Sequence, residues 1–256
     1  VGLLLSGPVT QGDVRARASQ GRSLDGCSNM KIDRIYIATH RFDVAFARVC
    51  VSSIRYWYPD IPIHLLKDSY SGDFSTRDLE RIWGVKVLDT GGRSFGWGLS
   101  KLEPFFQPAP CRFLVLDSDI AFVGPVIELL EESEADLVVA AESQTPERVA
   151  EIYFDLARLG KLDPGFKFQG ITFNTGQFVG NAGTFAREEF TPHLTDRNPP
   201  RLKRPEIFKN GDQGMFNYVA SRRCQEGSLS IDRVPFMWWT EDEMNGVDLA
   251  KMLVKS

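Results

Sequence analysis

The sequence predicts an α/β fold: a single domain on a mostly parallel central sheet flanked by helices. Three observations predict it. Short β-prone apolar runs alternate with segments of helical period, the pattern of βαβ units. Neither an internal repeat nor a linker interrupts residues 31–256. The composition, 256 residues with 43% apolar and 25% charged, suits one sizeable core.

The elements follow in order. Residues 1–30 are rich in Gly, Ser and Arg without a sustained period, which predicts a flexible leader, with Met30 directly before the first structured segment. "RIYIAT" (34–39) reads as the first strand. A helix over 42–58 has Ala45, Phe46, Val49, Cys50, Ile54 and Trp57 at helical spacing and closes at Pro59. Strands are predicted at 61–66 and 85–89, with a short helix near 76–83 between them. A glycine-rich stretch then leads into a short helix near 99–106. "RFLVLD" (112–117) is the fourth strand and "ADLVVAA" (135–141) the fifth.

Thr145-Pro146-Glu147 opens the next helix with an N-cap residue, a proline at the first position and an acid in the first turn, and Gly160 is expected to end it. "ITFNTGQFVGNAG" (171–183) alternates as a strand running into a turn. "GDQGMFNYVAS" (211–221) opens a helix, and "SIDRVPF" (230–236) is the last strand. The pattern at "DLAKMLVKS" has no terminator, so a domain that continues past residue 256 is expected.

Composition removes several classes of function. A net charge of −4 gives no reason to expect a nucleic-acid partner. Cys27, Cys50, Cys111 and Cys224 show neither CxxC nor metal-ligand spacing and read as reduced thiols. His40, His64 and His193 do not cluster, which argues against zinc. No apolar run approaches the roughly 18 residues of a membrane span, and the N-terminus is a poor signal peptide. A cytoplasmic location is therefore expected.

The stretch "CRFLVLDSDIAFVG" (111–124) carries the chemistry. A buried strand ends in two carboxylates two residues apart, and a buried carboxylate is costly unless paired or bound to metal. Open α/β sheets bind ligands beyond the carboxyl ends of their strands. On an extended backbone Asp117 and Asp119 point to one side, with Ser118 between them. An all-oxygen acidic pair suits Mn²⁺ or Mg²⁺; the plain alternative is a turn with a capping Asp.

The order "IYIATHRFD", "KLEPF", "FLVLDSDIAF", "FNTGQFVGN", "GDQGMFNYV" over residues 31–236 resembles the GT-A glycosyltransferases, with their Rossmann-like sheet. It is most similar to the retaining family 8, which includes bacterial galactosyltransferases and glycogenin. The resemblance implies a hexosyltransferase-like enzyme spending a UDP- or GDP-linked sugar on an unknown acceptor hydroxyl. It implies that Asp117 and Asp119 hold Mn²⁺ or Mg²⁺ on the donor diphosphate, with Asp117 and Ser118 also counted among the nucleotide-sugar contacts. Ala38 and Thr39 would lie by the base, and Lys101 would reach the sugar or diphosphate. Asn174 and Gly176 would line the donor-sugar pocket, and Asp212 and Gln213 would stand near the anomeric carbon or the acceptor. Taken without the resemblance, Lys101 reads as a solvated helix residue, Asn174–Gly176 as a bulge or turn, and Asp212 as a helix N-cap. The family's C-terminal metal-binding histidine has no counterpart after His193.

Two other classes remain open. A nucleotidyltransferase on a similar sheet would carry a glycine-rich basic loop at the first strand, where "ATHRFDVAF" has no glycine. A degenerate binding or scaffold protein would be left with two clustered acids that cost stability. Phe95, Trp97, Trp238 and Trp239 are candidates for stacking on sugar faces.

Overall fold

The computed structural model describes residues 2–4, 30–96, 98–142 and 144–239. Two sheets form. The larger holds β2 (Arg34–His40), β3 (Ile63–Asp68), β4 (Lys86–Val87), β5 (Arg112–Asp117), β7 (Leu137–Ala140), β8 (Gln177–Asn181) and β9 (Ile231–Val234) in the order β4-β3-β2-β5-β8-β7-β9. All its pairings are parallel except those of β8, which runs antiparallel to both β5 and β7. The smaller sheet places β1 (Gly2–Leu4) between β6 (Ile120–Phe122) and β10 (Met237–Trp239).

Alternation along the central strands divides the core. Tyr36, Phe113, Val115, Leu137, Val139 and Phe178 face one side, where they meet α6 (Asp212–Gln225), a 3-10 helix at Leu99–Phe106, and the pair α4 (Pro146–Ile152) and α5 (Leu156–Leu162). Ile35, Ile37, Leu114, Leu116, Val138 and Val179 face the other, against α1 (Val44–Trp57), α2 (Arg77–Trp83), α3 (Ile127–Glu131) and the small sheet. Both faces of the sheet are covered, so its central strands are nearly continuous apolar runs.

Several expectations are revised. Of the expected leader, residues 2–4 instead form the central strand of the small sheet, with Leu4 fully buried; residues 5–29 lie outside the described residues. The inward face of α1 is Ala47, Cys50, Val51 and Ile54, whereas Ala45, Phe46 and Val49 are exposed. That helix has apolar residues all round, so spacing alone does not tell its two faces apart. The expected single helix closed by Gly160 is two: Asp155 Oδ1 accepts from Arg158 N (3.0 Å) and caps α5, which contains Gly160. The stretch 171–176 is a loop, and β8 begins only at Gln177.

Candidate active site

The carboxyl ends of β2, β3 and β5 open into a cleft of about 660 Å³. Ala38 and Asp117 are register partners at the rim. The extended backbone expected through Asp119 stops at Asp117, and Ser118 and Asp119 form a turn. The chain bends there because Ile120–Phe122 leaves the main sheet to pair with β1. Ser118 is consequently buried, at 3% exposure, while still lining the cleft.

Lys101 is the centre of the arrangement. Its side chain is 7% exposed, and Nζ stands 3.3 Å from Asp117 Oδ1 and 3.3 Å from Asp212 Oδ2, with Thr175 Oγ1 at 3.4 Å. Burial lowers the pKa of this ammonium, and the carboxylates of Asp117 and Asp212 raise it by more, so the charge is retained. The Asp212 carboxyl is pushed up by burial, an effect opposed by Lys101. Asp119 is an exposed residue, yet its carboxyl is pushed up by burial against the cleft wall and then by the neighbouring Asp117 charge.

Glycines permit this closeness. Gly98, at φ +80°, places its Cα where a Cβ would come within 2.2 Å of Asp212 Oδ1 and 2.9 Å of Lys101 Cε. A Cβ at Gly176 would lie 2.7 Å from Asp117 Oδ2. Gly176 O accepts from Asp117 N (2.6 Å), and Gly176 N donates to Asn174 Oδ1 (2.6 Å). The loop before β8 is thereby bonded to the end of β5.

A second tether comes from α6. Asn217, fully buried, accepts from Phe173 N at Oδ1 (2.8 Å) and donates from Nδ2 to Phe173 O (2.8 Å). Gln213 Oε1 accepts from Thr175 N (3.5 Å). The N-cap of α6 is Gly211, which frees Asp212 from the capping role and turns its carboxylate to Lys101.

The structure therefore brings Ala38, Thr39, Lys101, Asp117, Ser118, Asp119, Asp212 and Gln213 to one cleft. Asn174 and Gly176 support the loop behind Asp117. Trp97 lies outside the described residues, and so do the side chains of Trp238 and Trp239; Phe95 is buried. Sequence reading missed Asp68, whose carboxylate accepts from Tyr70 N (2.9 Å), Phe95 N (3.2 Å) and Gly96 N (2.6 Å) and anchors the glycine-rich loop. It also missed His40, which lines the cleft, accepts from Phe42 N at Nδ1 (3.2 Å) and pairs with Asp43 at 2.8 Å. The available signal was their place at strand ends.

Among the described residues, no group of three or more His, Cys, Asp or Glu side chains gathers around one point that could hold a metal ion. Asp117 and Asp119 nonetheless fit a hard divalent cation that keeps waters and takes further oxygen ligands from a bound phosphate. The Asp117 charge pushes the Asp119 carboxyl up, and the cleft is already acidic, with Asp43, Asp68 and Asp212 also lining it.

No family model matches the chain, and no curated protein matches it either. Solved structures do. The galactosyltransferase LgtC, in complex with donor and acceptor sugar analogs, is 16% identical at a TM-score of 0.49, over 73% of this chain and 70% of that one. GlyE, a glycosyltransferase in Streptococcus pneumoniae TIGR4, is 16% identical at a TM-score of 0.47, over 78% of this chain and 45% of that one. WbbM, a bifunctional glycosyltransferase, is 13% identical at a TM-score of 0.52; the match spans 82% of this chain and 40% of WbbM. The likeness to WbbM is one of fold, and the mixed α/β architecture is GT-A-like. No helix among the described residues is long and apolar enough to cross a membrane.

Proposed function

We propose that the chain is a hexosyltransferase-like glycosyltransferase that moves a sugar from a UDP- or GDP-linked donor to an acceptor hydroxyl, with retention at the anomeric carbon. One observation carries this reading: the buried Lys101 ammonium held between Asp117 and Asp212 at the carboxyl edge of the sheet, in an otherwise acidic cleft. The position suits a diphosphate and a sugar, and so many carboxylates would repel a diphosphate without a cation to offset them.

Mn²⁺ or Mg²⁺ held by Asp117 and Asp119 would supply that cation and act as Lewis acid toward the leaving diphosphate. The protein's own groups do the rest. Ala38 and Thr39, at the end of β2, flank the nucleoside. Lys101, its charge retained by two carboxylates, orients the sugar and diphosphate. Ser118 joins the nucleotide-sugar contacts, and Asn174 and Gly176 fix the loop that backs Asp117. Asp212 and Gln213 face the anomeric carbon, where Asp212 offsets developing oxocarbenium charge.

The bond from the anomeric carbon to the diphosphate oxygen breaks, its electron pair leaving with the nucleoside diphosphate. The acceptor oxygen bonds to that carbon, and the hydroxyl proton passes to the departing oxygen. Retention is supported by the resemblance of the motif order to the retaining family 8 and by Asp212 and Gln213 being the polar pair at that end of the cleft. No nucleic acid takes part. Cys50, Cys111 and Cys224 are free thiols, which suits a cytoplasmic setting.

Calorimetric titration of UDP, then GDP, with Mn²⁺ and with EDTA, tests the reading beside Asp119→Ala. Metal-dependent binding that vanishes in the variant is expected. Binding that survives EDTA or Asp119→Ala removes the metal assignment, and absence of binding to the folded protein favours the degenerate scaffold.

A further inference from the structure

The 3-10 helix at 99–106 has two working faces. Ser100 and Lys101 turn to the cleft, while Leu99, Leu102, Glu103 and Phe106 line a second cavity of about 390 Å³. Its far wall comes from the segment 190–200, with Phe190 and Leu194. An apolar groove lined by Pro199, Pro200, Leu202 and Pro205 borders both spaces. Leu99 and Pro200 belong to both cavity and groove, and Tyr70 to both groove and cleft. The groove reaches the cleft where Gly211 precedes Asp212.

Charge marks the far end. Glu103, 3% exposed, takes Arg187 through both of its oxygens (2.8 and 2.9 Å) and Arg93 at Oε2 (2.8 Å), so two guanidiniums share one buried carboxylate. Arg187 also lies 4.2 Å over the Phe106 ring. With Arg197 and Asp196 also lining the cavity, its charged side chains leave one net positive charge. The cleft, by contrast, is acidic.

The geometry points to an amphipathic acceptor: a hydroxyl-bearing head group at the Asp212–Gln213 end of the cleft, continued by an apolar aglycone that follows the Pro199–Pro205 groove into the cavity beside Arg93 and Arg187. The inference rests on the glycosyl-transfer reading above. A free sugar would leave this apolar path unused, whereas an alkyl or aryl glycoside fills it. Each methylene buried there strengthens binding about three- to fourfold.

The test uses 1-anilinonaphthalene-8-sulfonate, an apolar anion, as reporter on the intact protein, with folding checked by near-UV circular dichroism. One reporter site is expected, displaced by n-octyl glucoside about tenfold more tightly than by n-hexyl glucoside and not displaced by glucose. Leu194→Asp, inside the cavity, is expected to weaken reporter binding at least tenfold. Arg197→Glu, at an exposed position, should weaken it severalfold and covers the case in which the first variant misfolds. Absence of reporter binding, displacement independent of chain length, or binding unchanged in the folded variants overturns the proposal. Nucleotide titration of the same protein separates the two claims. UDP binding without alkyl-glucoside binding removes the apolar acceptor and leaves glycosyl transfer standing. Alkyl-glucoside binding without nucleotide binding removes the role of acceptor and overturns glycosyl transfer.

Discussion

Replacing Lys101 by Met keeps the stem and deletes the ammonium. The side chain is 7% exposed and Asp212 is 5% exposed, so the loss leaves a carboxylate in the core with no cation at 3.3 Å. Removing one partner of a buried pair costs about 3–5 kcal/mol, because the other charge stays desolvated and unpaired. The second contact, to Asp117, adds little, since that carboxylate is 41% exposed and water screens it. Asp212→Asn in the same background removes the orphaned charge while keeping its shape. The double variant is therefore expected to recover about 2 kcal/mol or more relative to Lys101→Met alone. Urea unfolding in EDTA, with both single variants completing the cycle, reads this coupling without any substrate. A Lys101→Met variant within about 1 kcal/mol of the parent, or a double variant no more stable than it, would refute the reading of Lys101 as the neutralising centre of the cleft.

Two further outcomes follow from groups away from the cleft. His64 Nδ1 is buried without a hydrogen-bond partner among the described residues, and burial, then the cations Arg34 and Lys86, lower its pKa to about 4. The neutral ring is therefore favoured by folding. Stability is full above pH 6.5 and falls as the unfolded chain takes a proton between pH 6.5 and about 4, by about 1–2 kcal/mol after allowance for the partly exposed ring. Unfolding at pH 7 and pH 5 should show His64→Leu with a flatter dependence than the parent; equal slopes would exclude His64 as the source. Gln177, fully buried, finds no partner for either side-chain amide atom among the described residues. Gln177→Met is expected to raise stability by about 1 kcal/mol in thermal or urea unfolding, and a loss would mean that the amide is satisfied in solution.

Much of the fold could be read from the sequence because local pattern and tertiary role agree in it. The strands at 34–39 and 112–117 are buried on both faces, and continuous β-prone apolar runs announce that without ambiguity. Thr145 caps α4 as its residue type predicts, with Oγ1 accepting from Arg148 N. The site was legible as a set of motifs in order. It was not legible as geometry, because the pairing of the buried Lys101 depends on Asp117, Asp212 and Thr175 arriving from three separate segments. Phe46 lines the cleft and Val49 is exposed, and an apolar side chain at helical spacing in either place looks, in one dimension, like one in the core. Asp68 and Asn217 were passed over because their partners are backbone groups, which carry no residue-type signal.

The reversed strand β8 has a consequence for how such a protein can change. Since β7 leaves the sheet at the edge where β8 enters it, residues 141–176 depart and return on the same side, beside the turn at Ser118–Asp119. Lengthening or shortening the exposed stretches of that excursion, away from the buried Tyr153, Phe154, Leu159 and Phe173 and from the Asn174–Gly176 tether, alters no strand pairing and no crossover. Loop closure penalises extra length only logarithmically. Those stretches are therefore a place where a lineage can remodel the rim of the cleft while the sheet that holds the carboxylates stays as it is.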